Sequence, residues 1–458
     1  PYSAYPRKER IKFTIQVKDD VTGTYVPKTA YLDMIQVRRI ENPKGVWRSA
    51  GKSDNFHVTL MRLPYDNAED FKPFNSEGAW RATIIDGGDD FITLRSTVEG
   101  SGSDNVQQTG VKSIEGAGEH PIDFWIDFKG TIPEGATPRC AIVRVRYHNY
   151  TCEHDIFVRQ GYAPITINGN AESNNNPAWT SYNVYRFDAN NAPVYTKSPL
   201  EEGSLFRRGN RTAILASNND RSGFTFGVEP TGSFNVLEFG SATTSQKTWS
   251  QLAPSTDDVT NRFKEWSIAG DHERIATIED FYTLESTSIH SNINKAYGVL
   301  YGDGATETQK SVKEAFGYDH NEDPTNSKKG MRGCFVFNVN NSRNIFFPIG
   351  KSGYGRRKGM TSNGEKVGTL RYAQRTDYYN NDGTGNIQYV PLFYDLFERP
   401  GAIYQCRNRL ESTNNEVKNS SAFDINYFTM GFEGFENGAS NNNNGSDSDA
   451  CFIRTVKY

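Results

Sequence analysis

The sequence has few cysteines, few histidines, no long apolar run and no long block of one charge. Only five cysteines are present among 458 residues: Cys140, Cys152, Cys334, Cys406 and Cys451. Five is odd, so they cannot all pair with one another. No C-x-x-C spacing occurs, which argues against a zinc ribbon or a thioredoxin-like redox site. Buried thiols, with at most one bridge, are the expectation. The absence of any stretch of about 18 apolar residues excludes a transmembrane helix as a sequence expectation. Net charge is -4 and no basic run is long, so a nucleic-acid partner is not expected. The first residue is Pro1 rather than Met, which fits a trimmed product and makes the lack of a leader uninformative.

Catalytic signatures are also missing. There is no G-x-S-x-G, no H-E-x-x-H and no G-x-x-x-x-G-K-[ST]. The seven histidines are dispersed. His148 and His154 flank an expected hairpin turn, where surface histidines are more common than metal ligands. Paired acids such as Asp89-Asp90 and Glu201-Glu202 lie in expected loops, and nothing brings them to one cleft.

Polarity and aromaticity are what the chain does have. Hydrophobic residues are 36% of the total, a low share for a globular chain, yet aromatics reach 13%. A disordered chain would be poor in aromatics. The combination describes a folded, loop-rich protein, and its length suggests two or three domains.

Residues 1–165 alternate with the period of strands. Ile11, Phe13, Ile15 and Val17 form one such set, Phe56, Val58 and Leu60 another. Trp80, Ala82 and Ile84 follow, then Ile122, Phe124, Ile126 and Phe128, then Ala141, Val143, Val145 and Tyr147. Ile156 and Val158 close the series. Turn signals separate them at Asp19-Asp20, Asn42-Pro43 and Gly87-Gly88. This number of short strands predicts an antiparallel β-sandwich over 1–165. The polar segment NGNAESNNNPA then predicts a linker, placed at 166–178.

Residues 179–458 mix short helices with strands. Thr277 and Asp280 stand at capping-box spacing before a helix over 277–284, with Ile278, Phe281 and Tyr282 on one face. Two further helices are expected, one in STDDVTNRFKEW with Val259, Phe263 and Trp266 apolar. The other lies in TETQKSVKEAFG, with Val312, Ala315 and Phe316 apolar. The fold class expected is β-rich: an N-terminal antiparallel sandwich followed by an α+β domain.

An ordered set of motifs adds a resemblance. Arg274, Thr277, Asp280, Phe281 and Leu284 stand in HERIATIEDFYTL. Ile345, Phe346, Phe347, Pro348, Gly353 and Tyr354 follow in NIFFPIGKSGYG. Ile453, Arg454, Val456 and Lys457 close the chain in ACFIRTVKY. With GSLFRRGN (Gly203–Asn210), this series resembles the C-type-lectin-like fold of formylglycine-generating-enzyme-like domains over about 180–458. It is most similar to their noncatalytic versions in Bacteroidetes surface proteins. The ending HDIFVRQGYAPITI resembles the last strand of Ig-like modules in the same bacteria. The catalytic cysteine context of the enzymes is absent around Cys406 and Cys451, so the resemblance implies a binding protein and not an enzyme.

What the resemblance implies is a secreted, extracellular protein of the outer-membrane surface or a fimbrium, either an adhesin or a pilus-tip subunit. The N-terminal sandwich would accept a strand from a pilin or other surface-assembly subunit, and ACFIRTVKY would be the internal closing strand rather than a donated one. Loops of the lectin-like domain would meet a host or bacterial glycan or protein. The candidate ligand-binding residues are Lys351, Tyr354, Arg356 and Arg357 in the cationic run KSGYGRRKG, with Tyr378, Tyr379 and Tyr389 in the Tyr-rich stretch after it. No cofactor is expected. Calcium on loop acids such as Asp319, Asp323, Asp382, Asp447 and Asp449 stays open, although DHNEDPTN has Pro324 where an EF-hand needs glycine. Two alternatives stand beside this reading: a surface glycan-binding protein not on a pilus, and an enzyme related to formylglycine-generating enzymes.

Overall fold

The computed structural model describes residues 7–36, 40–62, 72–88, 90–97, 108–118, 120–207, 210–215, 232–252, 268–270, 272–284, 292–305, 330–348, 401–410, 419–426, 430–435 and 450–458. The described chain is strongly β-rich and its sheets are mainly antiparallel. Two sheets carry the first body. One has four strands, in the order Thr109–Val111, Ile92–Ser96, Asp123–Phe128, Asn55–Thr59. The other has eight, in the order Ser113–Gly116, Trp80–Asp86, Arg139–Tyr147, Cys152–Gln160, Gly45–Arg48, Ile293–Tyr301, Gly330–Asn338, Asn344–Pro348.

The alternation in the sequence decides which side chains enter the core. In Asp123–Phe128, Phe124, Ile126 and Phe128 are buried while Asp123, Trp125 and Asp127 are only half-buried. Phe56, Val58, Trp80, Ala82, Leu94, Val143, Val145, Ile156 and Val158 meet them in one apolar cluster between the two sheets. Successive side chains in a strand point to opposite faces, so this is the packing that a period of two produces.

The larger sheet runs across the expected linker. Gly45–Arg48 lies parallel to Cys152–Gln160 on one side and to Ile293–Tyr301 on the other. Val299, Tyr301 and Ala305 belong to the same cluster as the sandwich residues. The opposite face buries Trp47, Ile142 and Phe157 with Leu300, Met331, Phe335 and Phe346. Gly45 is required at this junction, since a Cβ there would collide with the Phe335 ring. The 166–178 segment itself is mostly exposed and turns on a reciprocal backbone pair between Ser173 and Asn176.

Three arginines with no exposed surface, or almost none, tie these parts together. Arg48 donates to Asp54 at 2.5 Å and to the carbonyls of Gly302 and Ala305. Arg159 lies over Trp47 and donates to the carbonyls of Gly161, Ala163 and Asn344 and to Ser181 Oγ. Burial pushes the Arg159 pKa down to about 10, still above neutrality. Arg454 donates to Asn183 Oδ1 and to the carbonyls of Thr180 and Phe346, between the Phe347 and Tyr404 rings. Main-chain carbonyls supply acceptors to all three guanidinium groups, joined by the Asp54 carboxylate at Arg48, the Ser181 hydroxyl at Arg159 and the Asn183 amide at Arg454, which lets a charge stay buried.

The last residues form an internal strand, as expected. Arg454–Lys457 pairs with Ala178–Phe187 on one edge and Glu273–Ile275 on the other. The expected helix is present as Ile278–Tyr282. Thr277 Oγ1 accepts from the Asp280 amide at 3.2 Å, and Asp280 Oδ2 accepts from the Thr277 amide at 2.8 Å. Arg274 adds a 2.9 Å ion pair to Asp280. One detail is corrected: Tyr282 is exposed, and Leu284 joins Phe281 in the core instead. Burial pushes the Asp280 carboxyl up, against the hydrogen bonds from Thr277 and the charge of Arg274. The other two expected helices, 255–266 and 306–317, lie outside the described residues.

Candidate functional site: an exposed N-terminal ribbon

Arg7–Lys18 and Tyr25–Gln36 pair antiparallel in direct register along all twelve residues of each strand. They form a two-stranded sheet that no third strand joins among the described residues. The turn is built by Asp19. Its Oδ1 accepts from the amides of Val21 and Thr22 and from the Thr22 hydroxyl, which holds the carboxyl below its usual range. Gly23 supplies the left-handed backbone, at φ 69°, that closes the turn.

Ile11, Phe13, Ile15 and Val17, expected on a strand of the 1–165 sandwich, stand instead on this separate two-stranded sheet. Phe13 is 47% exposed and Ile15 61%. Cross-strand neighbours share a face, so these four stand with Val26, Lys28, Ala30 and Leu32 on one side. Leu32 is also exposed. The other side carries Arg10, Lys12, Thr14, Gln16 and Lys18 opposite Asp33, Tyr31, Thr29, Pro27 and Tyr25. Arg10 lies over the Tyr31 ring at 5.7 Å. An isolated two-stranded ribbon is marginal in water. Ile11, Phe13, Ile15, Val17 and Leu32 form a row of exposed large apolar side chains on one face of the ribbon.

A second polar row lies on the open face of the four-stranded sheet. The His57 ring stacks on Trp125 with centroids 4.4 Å apart, and Arg95 covers Trp125 from the next strand at 4.7 Å. His57 Nε2 lies 2.6 Å from Asp123, and Arg95 makes two 3.0 Å bonds to Asp127. His57 and Arg95 occupy the indole themselves, so the row is a cross-strand ladder and not an open platform.

The predicted ligand residues Lys351, Tyr354, Arg356, Arg357, Tyr378, Tyr379 and Tyr389 all lie outside the described residues. So do the loop acids Asp319, Asp323, Asp382, Asp447 and Asp449. No cluster of three or more His, Cys, Asp or Glu side chains suited to a metal occurs among the described residues. His148 and His154 each have a separate task. His148 Nδ1 accepts from the Glu77 amide at 2.7 Å, and His154 Nε2 meets the Pro43 carbonyl at 2.7 Å. The turn between their strands is strained: His148, Asn149 and Tyr150 all have positive φ. All five cysteines are unbridged; Cys140, Cys334, Cys406 and Cys451 are buried and Cys152 is half-buried. Burial pushes the Cys140 thiol up, despite Arg159 beside it. No helix among the described residues is long and apolar enough to cross a membrane.

The ribbon was missed as a site because its apolar alternation is the signature of a core strand. The available signal was the other face, where Arg10, Lys12 and Lys18 interleave with the apolar set.

No protein family and no curated protein matches the chain. Among solved structures, domains 4 and 5 of the S-layer protein SbsC align with 34% of this chain and 70% of that one. The identity is 13% and the TM-score 0.15, a likeness too slight to argue from.

Proposed function

We propose that the chain is a cell-surface adhesin or pilus-tip subunit that assembles with a surface partner through its N-terminal part. In this reading an Ig-like sandwich precedes a C-type-lectin-like domain, whose loops, with Lys351, Tyr354, Arg356, Arg357, Tyr378, Tyr379 and Tyr389, recognise a glycan or protein. The observation that carries the assembly half is the exposed ribbon Arg7–Lys18/Tyr25–Gln36, with Phe13 and Ile15 in water. Strand addition to an open sheet edge supplies main-chain hydrogen bonds for affinity and side-chain alternation for specificity. The motif series from Arg274 to Lys457 supports the lectin-like half, and the capping box at Thr277 fits it.

The test is surface incorporation in the native cell, read by cross-linking and co-purification. Phe13→Lys with Ile15→Lys should abolish recovery of the surface partner while leaving the fold intact. Full recovery with the double variant would remove the ribbon from assembly. A glycan array on the same chain tests the recognition half, and should lose signal when Arg356 and Arg357 are replaced by alanine.

A further inference from the structure

The two edges of the ribbon are not equivalent. Asp19 donates its amide to the Thr24 carbonyl at 2.8 Å, so Asp19 and Thr24 form a hydrogen-bonded pair. Antiparallel pairs alternate between hydrogen-bonded and non-hydrogen-bonded. Lys18 and Tyr25 are therefore a non-hydrogen-bonded pair, Val17 and Val26 a bonded one, and Gln16 and Pro27 non-bonded again, in the register of the ribbon. Residues of non-bonded pairs turn their amide nitrogens outward. Pro27 thus stands where the Tyr25–Gln36 edge would offer an N–H, and it has none. A proline in this position blunts an edge. The opposite edge keeps every outward donor: Lys8, Arg10, Lys12, Thr14, Gln16 and Lys18 all have N–H groups, and none of these residues is a proline.

Chemistry separates the edges as well. Arg7–Lys18 carries five basic residues (Arg7, Lys8, Arg10, Lys12, Lys18) against one acid, Glu9. Tyr25–Gln36 carries only Lys28 and Asp33. On the Arg7–Lys18 strand the apolar residues Ile11, Phe13, Ile15 and Val17 alternate with the outward-donating positions. A strand laid along this edge would set its alternate residues against these two rows. One row asks for apolar side chains and the other for acidic ones.

We propose that the Arg7–Lys18 edge is where the ribbon takes its third strand, and that this strand comes from a partner protein and alternates apolar with acidic residues. The inference rests on the assembly reading above and names its edge and its partner chemistry. The unoccupied donors of Lys12, Thr14 and Gln16 would receive the partner's carbonyls. Lys12 and Lys18 would meet its carboxylates.

Thr14 and Thr29 make a matched test, because they face each other in the register and both turn their amides outward. Thr14→Pro removes a donor from the proposed edge, and Thr29→Pro removes one from the blunted edge. Both place a proline at the same level of the same ribbon, so any general strain is shared. The probe is a labelled peptide of about ten residues alternating valine with glutamate, the length of a long strand, and a second peptide carries lysine in place of glutamate. Binding to the full chain is read by fluorescence anisotropy, with circular dichroism to check that both variants stay folded. The wild type and Thr29→Pro should bind the glutamate peptide, about tenfold tighter than the lysine one at low salt, and Thr14→Pro should lose binding. Equal binding by both proline variants would overturn edge pairing, loss in Thr29→Pro alone would overturn the choice of edge, and no binding by wild type would overturn the partner chemistry. If surface incorporation falls with Phe13→Lys and Ile15→Lys but survives Thr14→Pro, this inference fails and the assembly reading stands.

Discussion

Two strands with the same pattern end in opposite environments. Phe124 and Phe13 both stand in a period-two apolar set on a strand. Phe124 is fully buried between two sheets, while Phe13 is 47% exposed on a ribbon that packs on itself. The apolar alternation is the same, and the difference lies in what covers the apolar face. Asp123–Phe128 has strands on both edges and a second sheet across its inner face. Arg7–Lys18 has one partner strand among the described residues. Alternation therefore specifies a strand with two unlike faces and leaves open whether the cover comes from the same chain.

The comparison sharpens first by equal substitution in both places. Phe124→Ala should cost about 3–5 kcal/mol, the range for deleting a buried phenylalanine. Phe13→Ala should change stability of the free chain by no more than about 0.5 kcal/mol. Denaturant unfolding of both variants checks this, and a large effect at Phe13 would mean that the ribbon packs against the body.

Arg159 comes next. Its side chain bonds residues on both sides of the 166–178 segment, so Arg159→Leu should lower stability by about 1.5–3 kcal/mol, the range for hydrogen bonds to a charged group. A single, cooperative transition with a lowered midpoint is the expected result. If only one of two separate transitions moves, the shared sheet does not couple the two parts. Thr277→Ala removes one capping acceptor and should cost about 0.5–2 kcal/mol by the same measurement.

The smallest effect is electrostatic. Burial pushes the Glu201 carboxyl above its usual range, and Oε1 has no hydrogen-bond partner. Because the folded pKa lies above the unfolded value, the folded state binds the extra proton. Stability from this group is full below the unfolded pKa of about 4.3 and is lost as pH rises through the folded value. Glu201→Gln should flatten that slope and raise the thermal midpoint slightly at neutral pH. A variant whose pH profile matches wild type would show that Glu201 ionises freely in the folded chain.

Much of the fold was legible where local chemistry decides it. The strands around Phe56, Trp80, Phe124, Val143 and Ile156 follow from alternation, and the helix at Thr277 follows from its capping box. The closing strand Arg454–Lys457 is internal, as the motif series implied. What could not be read was long-range pairing. The parallel contact of Gly45–Val46 with Leu300–Tyr301 joins residues far apart in sequence, and its only local trace is a glycine whose Cβ would strike Phe335. The asymmetry of the ribbon edges was also hidden. It depends on Pro27 falling on a non-bonded pair, and that parity is set by the turn at Asp19. The candidate ligand residues Lys351, Tyr354, Arg356, Arg357, Tyr378, Tyr379 and Tyr389 lie outside the described residues, and the cationic run and the Tyr-rich stretch are what mark them.

In the free chain the apolar face of the ribbon is uncovered, and the assembly proposal has a partner cover it. Hydrogen exchange of the free protein tests it most directly, comparing amides of Arg7–Gln36 with those of Asp123–Phe128 and Arg139–Gln160. The expected result is rapid exchange at Lys12, Thr14 and Gln16, weak protection across the rest of the ribbon, and protection near the global limit in the strands Asp123–Phe128, Arg139–Tyr147 and Cys152–Gln160. Protection of the ribbon equal to that of Asp123–Phe128 would contradict it, because the apolar face would then already be covered by this chain.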